Sequence, residues 1–238
     1  MRTGYYTYKP CYHSAKRNKR RNDNLEQQAQ ALFNHYFIEH PNLLGDYRIG
    51  NLTDAANYLN GLAMQKFRSQ VDEHGIPVLK IKELGQGSTD SSSDMCSENI
   101  ANEYKVYDGD IIFSWSGTLM VRIWCGGLCG LNQHLFKVTS DIYPKWFYYF
   151  WTKHHLNKFI RIAKDKAVTM GHIKRGDLES SQILIPQTDV LTKLDAILTP
   201  LLKHIVRTKC GSKQLSMVRD TLLPRLMSGE LKINNLNR

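Results

Sequence analysis

The sequence predicts an α+β protein: one mixed α/β domain flanked by long helices that form an antiparallel coiled coil. Three observations carry this expectation. Apolar residues recur at helical spacing near both ends of the chain, short β-rich runs separated by Gly, Pro, Ser and Asn fill its middle, and 238 residues suffice for one sizeable core with appended helices.

Residues 1–13 (MRTGYYTYKPCYH) show no clear period and read as an N-terminal arm. A spacer helix is expected over 14–40. It opens on KRNKRR at 16–21, with five basic side chains, and continues as DNLEQQAQALFNHYFIEH. Leu25, Ala29, Leu32 and Tyr36 step by 4, 3 and 4, with Phe33 and Phe37 alongside, so one apolar stripe runs along the helix. Glu, Gln and Ala at the other positions are good helix formers, and Pro41 ends the segment.

A mixed domain is expected over 41–187. Its strand candidates are 77–81 (PVLKI), 110–115 (DIIFSW), 120–124 (MVRIW), 134–138 (HLFKV) and 182–185 (QILI). Between the first two, GQGSTDSSSDMCSEN is a polar loop with little to bury. The aromatic-rich stretch 143–162 (YPKWFYYFWTKHHLNKFIRI) reads as a helix packed on the sheet.

Over 188–230 the pattern turns helical again. Leu191, Leu194, Leu198, Leu201 and Ile205 step by 3, 4, 3 and 4; the pattern fades across 208–212 and returns at Leu215, Val218, Leu222 and Leu226. Such alternation is the seam of a coiled coil. Pro200 either kinks this helix or starts its second segment, Ser228-Gly229 stops it, and 231–238 is a tail. A helix with one apolar stripe needs a partner. The N-terminal helix supplies one if the two run antiparallel; otherwise both pack as ordinary elements on one core.

Charge narrows the function. Lys and Arg number 32 against 22 Asp and Glu, a net charge of +10 and a pI near 9.3, which suits a polyanionic partner as well as a merely solvated basic face. Five cysteines, an odd number with no secretory h-region before them, suggest reduced thiols in a cytoplasmic protein. No apolar run approaches the ~18 residues of a membrane span.

Catalytic and metal motifs are incomplete. Cys125-x3-Cys129 followed by His134 resembles a zinc set but lacks a fourth ligand. Cys129 and His134 could be drawn as a hydrolase pair, yet nothing orients them. Gly85-Gln86-Gly87-Ser88 lacks the Lys-Ser/Thr ending of a P-loop, and no S-adenosylmethionine loop is visible. Ser114 and Ser116 follow a strand without a nucleophile elbow.

A nucleic-acid surface fits the residue types better. Lys80, Lys82, Arg122, Lys164, Lys166, Lys174 and Arg175 are scattered through the mixed domain and would meet phosphates. Asn132 and Gln133 can read adenine in bidentate fashion, and Arg122 can read guanine. Ser114, Ser116, Thr118 and Thr169 suit phosphate oxygens, and Gly171 would admit a close backbone. Trp115, His134 and His172 join this assignment. The alternative stays open that Asn132, Gln133 and His134 form a turn held by its own hydrogen bonds.

Three stretches together resemble the specificity (S) subunit of type I restriction–modification enzymes. They are 109–117 (GDIIFSWSG) continuing to 131–136 (LNQHLF), 169–178 (TMGHIKRGDL) leading to 183–186 (ILIP), and 222–231 (LLPRLMSGEL). Residues 22–37 also look like the end of that family's helical spacer. The resemblance implies a fold in which target-recognition domains are joined by helices that form an antiparallel coiled coil, and a role in reading split DNA sites without catalysis. It implies double-stranded DNA, a methyltransferase (M) subunit and a restriction (R) subunit as partners. No cofactor is then bound by this chain; S-adenosylmethionine and ATP belong to those subunits.

The chain departs from the pattern. It carries one target-recognition domain (41–187) where two are expected, Arg21 stands where an apolar residue is usual, and Gln187-Thr188-Asp189 replaces the usual entry to the second helix. It therefore reads as a half-length S protein that forms a homodimer and rebuilds a symmetric, two-domain reader. A ~30-residue helix spans roughly 45 Å, somewhat more than one turn of DNA. The helical stripes would supply the dimer or M-subunit interface: Leu25, Leu32 and Tyr36 on the first helix, and Leu191, Leu194, Leu198, Leu201, Ile205, Leu215 and Leu222 on the second. The competing reading is a truncated remnant that scaffolds M without reading DNA.

Overall fold

The computed structural model describes residues 8–69, 74–165 and 171–230. Helix α1 (Tyr8–Asn34) runs into a single π-helical turn (His35–Glu39) and a short 3-10 turn that starts at Pro41. It begins inside the segment expected as an arm. Its buried face is Asn22, Ala29, Phe33 and Phe37, while Leu25, Leu32 and Tyr36 lie half-buried beside it. The stripe is thus rotated from the expected one. The reason is aromatic packing from the domain: Phe33 meets Trp151 edge-on at 5.1 Å between ring centroids, and Phe37 meets Phe147 at 5.8 Å.

The domain opens with β1 (Tyr47–Asn51) and closes with β10 (Gln182–Pro186), which pair antiparallel with Tyr47 opposite Pro186 and Asn51 opposite Gln182. Between them lie two four-stranded sheets. The first has the order β2 (Asn57–Asn60), β9 (Leu135–Thr139), β6 (Ile111–Ser114), β7 (Met120–Ile123), antiparallel throughout. The second has the order β4 (Met95–Ser97), β3 (Gly75–Leu79), β8 (Cys129–Leu131), β5 (Lys105–Val106), with β3 and β8 parallel.

Strand β6 explains how the pieces cohere. All four of its residues are buried. Ile111 and Phe113 face the main core, whereas Ile112 joins a second cluster with Leu79, Leu84, Trp124, Cys129 and Leu135. Alternate side chains of one strand thereby serve two cores, which is why its sequence is apolar without a break. Helix α4 (Lys145–Asp165) covers the main-core side, its Phe159 stacked on Phe113 at 5.7 Å.

Three short helices turn the chain: α2 (Leu52–Ala55), α3 (Ile81–Gln86) and α5 (Arg175–Glu179). Each starts with the same device. The carboxylates of Asp54, Glu83 and Asp177 accept hydrogen bonds from the backbone N–H groups of Asn51, Lys80 and Lys174, at 2.8, 3.2 and 2.7 Å. This satisfies one orphan donor at each helix start.

Helix α6 (Thr188–Met227) spans 40 residues and passes Pro200 and Pro224 without interruption, so Pro200 starts no second segment. It lies against α1. Asn18 Nδ2 donates to Ser212 Oγ at 3.1 Å and Lys209 Nζ lies 3.4 Å from Glu26, pairs that advance along α1 as they retreat along α6. Trp146 of α4 donates its indole N–H to Asp195 of α6 at 2.9 Å. Leu194, Leu198, Leu202 and Ile205 are buried within the chain's own core, with Leu191 and Leu201 half-buried at its margin. The four buried residues therefore seat α6 on the chain's own core and leave no side-chain surface for a second protein. Leu215 and Leu222 differ: they are 64% and 40% exposed. No helix among the described residues is long and apolar enough to cross a membrane.

Candidate nucleic-acid interface

Three segments distant in sequence meet at the end of β6. The chain after β6 (115–117), the turn before β9 (132–134) and the segment before α5 (171–173) are laced by backbone bonds: Trp115 N–H to the His134 carbonyl at 3.4 Å, Ile173 N–H to the Trp115 carbonyl at 3.1 Å, and Gly117 N–H to the Gly171 carbonyl at 3.2 Å. Side chains continue the lacing. Ser114 Oγ donates to the Ser116 carbonyl at 3.2 Å, Ser116 Oγ lies 3.0 Å from His134 Nδ1, and the His134 N–H donates to Asn132 Oδ1 at 3.3 Å.

This lacing corrects part of the expected contact set. Ser114, Ser116 and Asn132 are buried at 0, 5 and 3% exposure, and their side chains are spent on holding the turns. Gly171 also serves the interior: a Cβ there would fall 2.3 Å from the Ala163 carbonyl oxygen, so the close backbone is α4's own. Lys166 and Thr169 lie outside the described residues.

The other ring nitrogen of His134 faces the Gln133 side-chain amide at 3.3 Å. Burial pushes the thiols of Cys125 and Cys129 up to about 12, so neither is an activated nucleophile. Cys125 packs toward α6 and Cys129 into the second core, and among the described residues neither joins a group of metal-binding side chains.

The exposed members of the set separate into three places. Lys80 pairs with Asp94, and Lys82 donates to Ser92 Oγ at 2.7 Å and lies 3.8 Å from Asp90. The Ser92 hydroxyl and backbone N–H, and then Lys82, hold the Asp90 carboxyl below the usual range, and Lys80 does the same for Asp94. The charge of Lys80 is thus met within the protein. Arg122 stands exposed on β7, beside a cleft of about 540 Å³ bordered by Asn22, Glu26, Tyr149 and Lys209. Thr118 is exposed in the turn between β6 and β7.

The third place gathers Trp115, His172, Lys174 and Arg175 around a cleft of about 650 Å³. Trp115 forms part of its wall, 5.7 Å from the Phe136 ring and 6.1 Å from the His172 ring. Its indole N–H donates to Asn60 Oδ1 at 3.0 Å. Asn57, Asn60, Tyr104 and Phe136 also line it. These four were not anticipated from sequence, although the Asn60-Gly61 pair is a turn signal. Gln133 and His134 sit half-buried at the neighbouring turn. The arrangement joins cationic heads, which attract phosphate, to amides and flat rings, which suit base edges and faces.

The family profile described as the type I restriction modification DNA specificity domain matches residues 45–213. The type I restriction enzyme MjaIX specificity subunit of Methanocaldococcus jannaschii is 25% identical over 240 residues, covering 92% of this chain and 55% of that protein. The EcoBI specificity subunit of Escherichia coli is 27% identical over 189 residues, covering 76% of this chain and 38% of that protein. The chain thus spans about half the length of these relatives, or less. In fold it is similar to the crystal structure of a type I restriction–modification S subunit from M. genitalium, with a TM-score of 0.54 and 13% identity over 92% of this chain and 56% of that one.

Proposed function

The chain belongs to the type I restriction modification DNA specificity family, and from that premise we propose that it reads double-stranded DNA sequence-specifically through the Trp115 cleft, without catalysis of its own. The observation that carries this reading is the convergence of Trp115, Asn60, His172, Lys174 and Arg175 on one cleft, from elements far apart in the chain. Lys174 and Arg175 neutralise phosphates and set the register, while Asn57 and Asn60 supply paired donor and acceptor atoms of the kind that read adenine. Trp115 fixes Asn60 through its indole hydrogen bond, so the oxygen of that amide is oriented before DNA arrives.

In this proposal the recognition domain is residues 41–187, and the spacer helices carry it to its partners, the M and R subunits. The exposed stripe of Leu215, Val218, Leu222 and Leu226 on α6 joins two copies into a homodimer that reads a split palindrome. The decisive experiment is methylome sequencing of cells that express this chain with its M subunit. A discrete bipartite methylated motif, erased by Asn60→Ala together with Trp115→Ala, is the expected result. A chain that binds M while no motif is methylated would be a scaffold and not a reader.

A further inference from the structure

We infer that His35, Glu39 and His40 form a binding site for a divalent transition metal of the zinc type, at the turn where α1 passes into the recognition domain. One nitrogen from each imidazole and one carboxylate oxygen lie within 4.8 Å of one another.

The local backbone creates this juxtaposition. In an α-helix, residues five apart project about 140° from each other at 100° per residue, so a His at i and another at i+5 cannot share a ligand. Here the last turn widens. The His40 N–H donates to the His35 carbonyl at 2.9 Å, an i to i+5 bond, across the π-helical turn His35–Glu39. The widened turn brings the two imidazoles together, with ring centroids 4.8 Å apart at 68°. Glu39, four residues after His35, adds its carboxylate to the same group. Such turns recur at functional sites because they re-aim side chains in this way.

The backbone under the site is held firmly. Phe37, between the two histidines, is 2% exposed and packs on Trp146 and Trp151, and Leu44 beyond them is fully buried. The three donor side chains are themselves exposed and can rotate. A tetrahedral zinc needs donors about 3.4 Å apart, given metal–ligand distances of about 2.0–2.2 Å. Small side-chain rotations close the observed spacing without moving the backbone. The fixed backbone confines the ordering that binding requires to the three side chains.

The donor chemistry selects the ion. Two imidazoles and one carboxylate suit zinc, cobalt or nickel, whereas calcium and magnesium require mostly oxygen ligands. With three protein donors, the fourth position goes to water. Bound metal would staple the last turn of α1 and stabilise the native chain by mass action. None of the three ligands lines the Trp115 cleft, so the site stands independently of DNA reading.

Equilibrium dialysis of the full chain against zinc, with the metal counted by atomic emission, tests the site. The expected result is one zinc per chain, lost in His35→Ala and in His40→Ala and weakened in Glu39→Gln, with a zinc-dependent rise in melting temperature only in the wild type. Cobalt should give visible d–d bands without the near-ultraviolet charge-transfer band of thiolate ligands. Circular dichroism confirms that the variants fold; their substituted side chains are exposed. No stoichiometric zinc, zinc retained by either histidine variant, undiminished affinity in Glu39→Gln, or a thiolate band with cobalt would each overturn the assignment.

Discussion

Lys153 of α4 donates to the Glu26 carboxylate of α1 at 2.7 Å, joining residues 127 positions apart. Tyr149 donates to the same oxygen at 2.7 Å, and Lys209 of α6 approaches the other at 3.4 Å. One acidic side chain thereby ties both long helices to the mixed domain. Burial alone would raise its pKa, but Lys153, Tyr149 and Lys209 outweigh burial and bring it from 4.5 to about 2. A carboxylate depressed in the native state contributes stability that is present above its unfolded value and lost as pH falls through the folded one. Glu26→Gln should therefore cost on the order of 2–3 kcal/mol at pH 7, with allowance for its partial exposure, and much less at pH 2. Urea melts at the two pH values measure this; equal costs at both would refute it.

His155 predicts a second, higher window of acid sensitivity. Its ring stacks on Trp151 at 6.1 Å, and its Nε2 lies 2.8 Å from the Gln182 carbonyl of β10, which can only accept, so that nitrogen carries the proton. Burial disfavours the imidazolium first, with His154 and Lys158 adding to it, and lowers the pKa from 6.5 to about 4. The unfolded chain takes up a proton near pH 6.5 that the native chain refuses until pH 4, so stability is full above 6.5 and declines as pH falls toward 4. His155→Gln keeps a donor for the carbonyl and should flatten the melting temperature across this interval. A variant whose profile still falls as steeply as the wild type would exclude His155 as the cause.

At the cleft, roles divide between affinity and discrimination. Lys174→Ala and Arg175→Ala should weaken binding to all DNA about equally and reduce the salt slope by about 1 each. Asn60→Ala should instead cost about 1–3 kcal/mol of discrimination at one base pair. Lys80→Ala should weaken binding less than Lys174→Ala, because Lys80 lies outside the Trp115 cleft. Competition binding over a salt series measures all four. If Lys80→Ala matched Arg175→Ala, the Lys80–Lys82 surface and not the Trp115 cleft alone would meet DNA.

The far end of α6 yields a prediction about assembly. Leu215 and Leu222 are exposed, whereas Leu198 is 1% exposed. Leu215→Glu with Leu222→Glu should give a folded monomer, while Leu198→Glu should lose its fold by placing a charge in the core. Sedimentation with circular dichroism separates the two. Wild-type chain that stays monomeric at micromolar concentration with M subunit present would remove the dimer from the proposal.

The long-period features were legible in the sequence. The apolar steps at Leu191, Leu194 and Leu198 mark α6, and the DIIFSW run marks β6, because burial on these elements follows a period that sequence displays. The strands β1, β2 and β8 were not. YRIGN and NYLN are polar and brief, and CGL is only three residues long, so long-range pairing rather than local pattern makes them strands. The same holds at the cleft. Lys174 and Arg175 were visible as charges, but that they meet Trp115 and Asn60 depends on the crossing of segments at the end of β6. Asn132 looked like a base reader because an exposed and a buried Asn have one letter; only its 3% exposure tells them apart.

The pairing of β1 with β10 has a wider consequence. Because Tyr47 lies opposite Pro186, the chain leaves the helical frame and returns to it at one point. Topologically, everything between is a cassette clasped by a short ribbon. A gene exchange that swapped this interval would leave α1 and α6 able to find each other, provided the incoming piece kept the face that α4 presents through Trp146, Trp151 and Lys153. If the domain reads DNA as proposed, exchange of this interval alone would change what is read while leaving α1 and α6 in place.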